Sequence, residues 1–151
     1  MSERPTAQAY SPELHTLHRY FIWQLEMRTR FDEVLRDVDK RGLRLKRGQN
    51  EEIDAFMWLS LWYGLLYVVI EGWQELQLHD QAVNRLLSSR NTDLLRRYRN
   101  GVFHFQADYD DERFLQLLSS EQTARWARDL SDALGRAFVR WTDFLVLEAP
   151  E

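Results

Sequence analysis

Arg99, Asn100 and His104 fall within one six-residue stretch of the run Leu95-Arg96-Arg97-Tyr98-Arg99-Asn100-Gly101-Val102-Phe103-His104-Phe105. These residue types suit metal-free cleavage of RNA. A histidine can move protons to and from a 2′-hydroxyl or a leaving oxygen near neutral pH. An arginine can hold a phosphate in a fork and stabilise the charge that builds on its oxygens. An amide can position the imidazole or the phosphate. On a continuous helix Asn100 and His104 are four apart and share a face, whereas Arg99 and His104 point about 140° apart. A straight helix therefore does not focus both on one phosphate. Either the helix breaks near Gly101, or two copies of the segment meet and supply groups to each other. The bland alternative is a helix C-cap at Asn100-Gly101, with His104 a packing residue.

The elements that must position these residues read as helices throughout. The three prolines are Pro5, Pro12 and Pro150, so residues 13–149 contain none, and nothing there carries the locked φ that breaks a helix. Leucine outnumbers isoleucine plus valine by 23 to 11, which leans towards helix. A first helix is predicted from Pro12 to Val38, with Leu14, Leu17, Phe21, Leu25, Val34, Leu35 and Val38 as its apolar stripe and Ser11 as its cap. A glycine-bounded basic loop, Lys40 to Gly48, should follow. Asn50 is the expected cap of a second helix, with Glu51, Glu52 and Asp54 at its positive end. A third helix should begin near Asn91-Thr92-Asp93 and carry Leu94, Leu95, Tyr98 and Val102. The acidic stretch Asp108 to Glu112 reads as a turn into a short helix from Phe114 to Leu118. Ser119 and Gln122 form a capping-box pattern before a last helix with Trp126, Leu130, Leu134, Ala137, Phe138, Trp141 and Leu145 on one face.

The second helix is unusual. Ala55 to Ile70 holds no charged residue over sixteen positions. A membrane span needs about 20 apolar residues, and acidic groups lie close on both sides, so a buried central helix is expected and no membrane association. A helix apolar nearly all round is encircled by its own bundle or covered by a second subunit. A homodimer is the expectation, with part of the tryptophan load on this helix (Trp58, Trp62, Trp73) at its interface. Glu71 interrupts the apolar run, and a carboxylate there either orients a nearby arginine such as Arg99 or Arg97 or marks where the helix surfaces.

Composition bounds the rest. At 151 residues the chain suits one domain, 1–151, with residues 1–11 expected to be flexible. The lack of cysteine excludes thiol nucleophiles, disulfides and cysteine-held zinc. No phosphate-cradling glycine loop or nucleophile elbow occurs, and no cofactor or metal is expected. His15 and His18 stand three apart but lack an accompanying metal motif. His79 is expected at the end of the second helix, beside its exposed carbonyls. The net charge of −4 averages the acidic Asp108–Glu112 stretch and two basic clusters. Arg96 and Arg97 adjoin the candidate site, and Arg44, Lys46 and Arg47 belong to the basic loop; all five are candidate RNA-backbone contacts. The N-terminal stretch MSERPTAQAYSPEL has no basic-then-apolar signal pattern, so a cytoplasmic location is expected.

Arg99-Asn100-x-x-x-His104 resembles the R-x(4–6)-H signature of the HEPN superfamily, in which Asn, Asp or His typically follows the arginine. The resemblance implies an all-α up-and-down bundle, here of four to five helices, that dimerises with two motifs facing a shared cleft. It also implies metal-independent endoribonuclease activity by 2′-hydroxyl attack, giving a cyclic phosphate end. His104 would then act in proton transfer, Arg99 in charge stabilisation and Asn100 in positioning. Many members are toxins of toxin–antitoxin pairs, anti-phage defence components or RNA-processing domains. For a toxin the resemblance would imply an antitoxin or regulatory protein as a further partner, though the sequence itself does not point to a cognate one. In one toxin branch the motif continues as R-x(4)-H-x-Y, with a tyrosine that a partner enzyme modifies. Gln106 stands at that position here, which puts such control in doubt. The competing reading is a non-catalytic helical protein-interaction module.

Overall fold

In the computed structural model, which describes residues 11–41 and 51–147, the Ser11 hydroxyl accepts the Leu14 N–H at 3.2 Å and opens helix α1 (Pro12–Arg41). Pro12 fills the first turn, where its missing N–H costs nothing. The helix runs three residues past Val38, taking in Lys40 and Arg41. Residues 42–48 of the expected basic loop, the Asn50 cap and residues 1–10 lie outside the described residues. Helix α2 is Glu51–Glu75, α3 Gln81–Leu87, α4 Asn91–Phe103, α5 Glu112–Leu118 and α6 Glu121–Leu147. The described residues thus form an all-α bundle of six helices, with no strand among them.

Helix α3 is the addition to the four or five expected. Asp80 caps it, its carboxylate accepting the Val83 N–H at 3.0 Å, and Val83 is its one buried residue. Seven residues show too little of a 3.6-residue stripe to stand out in sequence. The α6 cap also sits one residue later than the capping-box pattern suggested. Ser120 Oγ accepts the Thr123 N–H at 3.4 Å, while Ser119 closes α5.

Helix α2 supplies the centre of the core, and its central stretch is apolar for that reason. Trp62, Leu66, Val69, Ile70 and Trp73 are at most 1% exposed. They pack with Leu14, Leu17 and Phe21 of α1, Leu95 and Tyr98 of α4, and Leu130, Leu134 and Phe138 of α6 in one cluster. Each such burial contributes roughly 2 kcal/mol. By length and composition Asp54–Glu75 would also pass for a membrane span; here its Ser60–Trp73 portion lies largely inside the bundle. Trp62 and Trp73 were expected partly at a dimer interface. They are instead buried within the chain, and of the three only Trp58 is left partly exposed. Trp73 stacks on Trp141 of α6 at 5.3 Å between ring centres.

One polar link crosses this core. Gln24 of α1 is fully buried, and its Oε1 accepts hydrogen bonds from Trp62 Nε1 at 3.0 Å and Ser131 Oγ at 3.2 Å. Three helices are thereby tied at one atom. Gln77 has φ 53° just past the end of α2, and the Leu78 N–H reaches back to the Trp73 carbonyl at 3.0 Å. That left-handed turn satisfies a terminal carbonyl and sends the chain towards α3.

Candidate active site at the end of α4

Helix α4 docks through Leu95, Tyr98 and Gly101, its buried residues. The Tyr98 hydroxyl shares a 2.8 Å hydrogen bond with Ser60 Oγ on α2, and burial pushes its pKa far above the usual range. Its ring meets Tyr63 on one side and Phe114 of α5 on the other, edge-on at 5.6 and 5.2 Å. Gly101 does not break the helix. It lets Phe114 approach so closely that a Cβ there would sit 2.8 Å from the ring. Helical geometry instead ends at Phe103, and His104 is extended at φ −123°, ψ 134°. Asn100-Gly101 is therefore not a C-cap, and His104 is exposed rather than a packing residue.

Arg99 leans on α2. Its Nη2 donates to Glu71 Oε1 at 2.6 Å, and its guanidinium carbon lies 4.9 Å from the centre of the Tyr67 ring. Tyr67 and Glu71 are one turn apart, so a single face of α2 supplies both the carboxylate and the aromatic surface. Burial first, and the Glu71 charge second, push the Tyr67 hydroxyl pKa up. The Glu71 side chain is 45% exposed, so the helix does surface there, and the carboxylate still takes an arginine partner.

His104 is held through its backbone. Gln106 Nε2 donates to the His104 carbonyl at 2.8 Å, and Gln106 Oε1 in turn accepts from Arg113. Arg113 Nε donates to Asp111 Oδ1 at 2.8 Å, and the Arg113 N–H meets the same oxygen at 2.9 Å. These bonds hold the Asp111 carboxyl down at about 2. The imidazole itself makes no hydrogen bond to the described residues. It lines an open cleft of about 580 Å³ together with Phe105, Tyr109, Asp110 and Phe114. Phe105 is 95% exposed and Tyr109 86%.

The remaining sequence candidates fall into place around this end. Asn100 is half-buried on α4. Arg96 is tied to Asp93 at 2.6 Å, and Arg97 Nη1 donates to Gln116 Oε1 of α5 at 2.8 Å. Arg44, Lys46 and Arg47 lie outside the described residues. His79 sits beyond α2, not at its end, and its Nδ1 is 2.6 Å from Asn84 Nδ2. His18 packs on Phe138 at 5.3 Å, and burial followed by the nearby His15 lowers its pKa. Arg99 faces α2 and is not among the residues lining the cleft, whereas His104 is. One chain thus places the two motif residues on different surfaces of the same helix end. Sequence reasoning missed Tyr67, Gln106, Asp111 and Arg113. Tyr67 was findable as the residue one turn before Glu71, but the other three belong to a loop and a helix start with no periodic signal.

Comparison with family models, curated proteins and solved structures returned no match for this chain.

Proposed function

We propose that this chain is a metal-independent endoribonuclease of HEPN type, working in the cytoplasm as a homodimer in a toxin or anti-phage defence role. The observation that carries the reading is at the end of α4. Glu71 and the Tyr67 ring hold the Arg99 guanidinium, while His104, just past the helix, presents an imidazole with no partner among the described residues. An arginine held in advance loses little freedom on gripping a phosphate, and an unbonded imidazole is available for proton transfer. The two groups diverge within one chain, so the active arrangement takes Arg99 from one copy and His104 from the other. The 2′-hydroxyl attacks its own phosphate, His104 handles the proton, Arg99 stabilises the charge and Asn100 positions. Arg96 and Arg97 exchange their present partners for the RNA backbone, and an antitoxin or regulatory protein masks the site.

Purified protein incubated with total RNA in EDTA tests this. Cleavage by the wild type, cyclic phosphate ends, and loss of both in His104→Ala and Arg99→Ala are expected. RNA left equally intact by wild type and His104→Ala sinks the proposal. That outcome favours the second reading, a non-catalytic interaction module, for which the exposed Phe103, Phe105 and Tyr109 are the supporting observation.

A further inference from the structure

The cleft beside His104 combines features that neither proton transfer nor phosphate binding calls for. Phe105 and Tyr109 stand almost wholly exposed on its rim, at 95% and 86%. A folded chain gains nothing by holding two aromatic faces in water. Its volume, about 580 Å³, falls in the range of small-molecule sites, ~300–1,000 Å³. Two carboxylates, Asp108 and Asp110, line it, and among the described residues no arginine or lysine does. Asp108 Oδ1 accepts the Asp110 N–H at 3.1 Å and so shapes the turn. The Asp110 carboxylate takes no hydrogen bond from the described residues and is left for a ligand.

Charge decides what fits. A phosphate is repelled by two carboxylates, and a purely apolar segment leaves Asp110 desolvated without a donor. A flat ring carrying adjacent N–H donors satisfies both the aromatic rim and the carboxylate. Single-stranded RNA offers such rings, read by stacking and by hydrogen bonds along their pairing edges. An ionised carboxylate only accepts. Guanine alone among the four bases presents a ring N–H and an amino group side by side, both donating to one carboxylate. Adenine and cytosine place a ring acceptor next to the amino group, and uracil flanks its single N–H with two carbonyls.

We infer that the cleft formed by Phe105, Tyr109 and Asp110 beside His104 binds a single-stranded guanine base. The base stacks on the aromatic rim, and its pairing edge meets Asp110. This rests on the ribonuclease reading and deepens it, because a guanine seated there brings a neighbouring phosphodiester towards His104 and makes the cut guanine-selective.

The His104→Ala chain, used so that the RNA stays intact, is titrated by fluorescence anisotropy with labelled hexaribonucleotides UUGUUU, UUAUUU, UUCUUU and UUUUUU. The guanine oligomer should bind about tenfold tighter than the others. Adding Asp110→Asn should bring all four within about twofold, and adding Tyr109→Ala should weaken the guanine oligomer about tenfold. Both side chains are exposed, and circular dichroism checks that the variants stay folded. Equal affinity for all four oligomers overturns the assignment, as does a guanine preference that survives Asp110→Asn. If no oligomer binds and Phe105→Ala turns a dimer into a monomer, the cleft belongs to a second copy and the assignment falls. The two readings fail separately. Wild-type cleavage without base preference overturns the guanine site and leaves the nuclease. Guanine-selective binding without any cleavage by the wild type supports the guanine site and overturns the nuclease.

Discussion

Arg99 Nη2 and Glu71 Oε1 meet at 2.6 Å across the α2–α4 interface, joining residues 28 positions apart. The Arg99 side chain is 25% exposed and that of Glu71 45%, so the pair adds only about 1 kcal/mol to stability. Its greater effect is on direction. With Tyr67 beneath the guanidinium at 4.9 Å, the arginine is held in one orientation before any phosphate arrives. A residue that merely stabilised the fold would leave a different signature from one that aims the arginine, and the two can be separated.

Replacing Glu71 by Gln keeps the size and a hydrogen-bond acceptor but removes the charge that holds Arg99. If the pair aims the arginine, kcat for RNA cleavage should fall roughly ten- to hundredfold, with KM changed far less. Thermal unfolding should shift by no more than a few degrees, as expected for a loss of about 1 kcal/mol. Steady-state kinetics and a melt on the same preparation check this. Unchanged kcat beside a large drop in melting temperature would make Glu71 purely structural.

Gly101→Ala sets two known effects against each other. Alanine in a helix interior normally gains about 1 kcal/mol over glycine. Here the new Cβ would lie 2.8 Å from Phe114 Cε1, and that ring is also packed against Tyr98 and Phe56 at 5.2 and 5.7 Å. Overpacking of this kind costs about 1–3 kcal/mol, so a net destabilisation of about 1 kcal/mol is expected in urea unfolding. A stabilised variant would show that α5 moves away freely.

Long stripes and charge-free runs made α1, α2 and α6 legible in the sequence, because burial along a helix repeats over many turns. The interruption of that run by Glu71 has two readings, an arginine's partner or the point where the helix surfaces, and both hold: Glu71 is exposed and it pairs with an arginine. Arg99 is that partner. The end of α4 stays open in the sequence because Gly101 can be read as a break or a cap, when its role is a contact with Phe114, 13 residues further along. The brace of Gln106, Arg113 and Asp111 on the His104 carbonyl depends on loop geometry, and loop geometry leaves no periodic trace. Helix α3 escaped because one buried valine is not a pattern.

Acid should loosen that brace within a definite window. Hydrogen bonds from the Arg113 side chain and N–H hold the Asp111 carboxyl at about 2, against an ordinary value of 3.8. A depressed carboxyl stabilises the folded state above the unfolded value, and that contribution is lost as pH falls from about 4 through about 2. Melting temperature should therefore drop over this range, and Asp111→Asn should drop less steeply because its side chain has no proton to gain. Melts at half-unit intervals check this. Parallel curves for the two proteins would remove Asp111 from the account.

Gln24→Leu tests the polar link through the core. The change keeps the volume close but leaves Trp62 Nε1–H and the Ser131 hydroxyl without their shared acceptor. Each orphaned donor costs about 1–3 kcal/mol. The buried Gln24 Nε2 already lacks a partner among the described residues, and removing it gives part of that back. A net loss of about 2 kcal/mol in urea unfolding is expected. A loss well below about 1 kcal/mol would show that both donors find other acceptors.

Divergence of Arg99 and His104 on one chain makes a sharper claim than loss of function in single variants. If the reacting phosphate sits between an Arg99 from one copy and a His104 from the other, Arg99→Ala and His104→Ala homodimers are each dead at both sites. A twofold dimer built from one chain of each kind is different. One of its sites has lost both groups, and the other draws its arginine from the His104→Ala chain and its histidine from the Arg99→Ala chain. Equal amounts unfolded together and refolded give half mixed dimers, each with one working site, so about a quarter of wild-type activity should return. Mixing with a double variant, Arg99→Ala with His104→Ala, restores nothing and serves as the control. If the two single variants refolded together stay inactive while forming mixed dimers, the groups act within one chain, and the composite site is wrong.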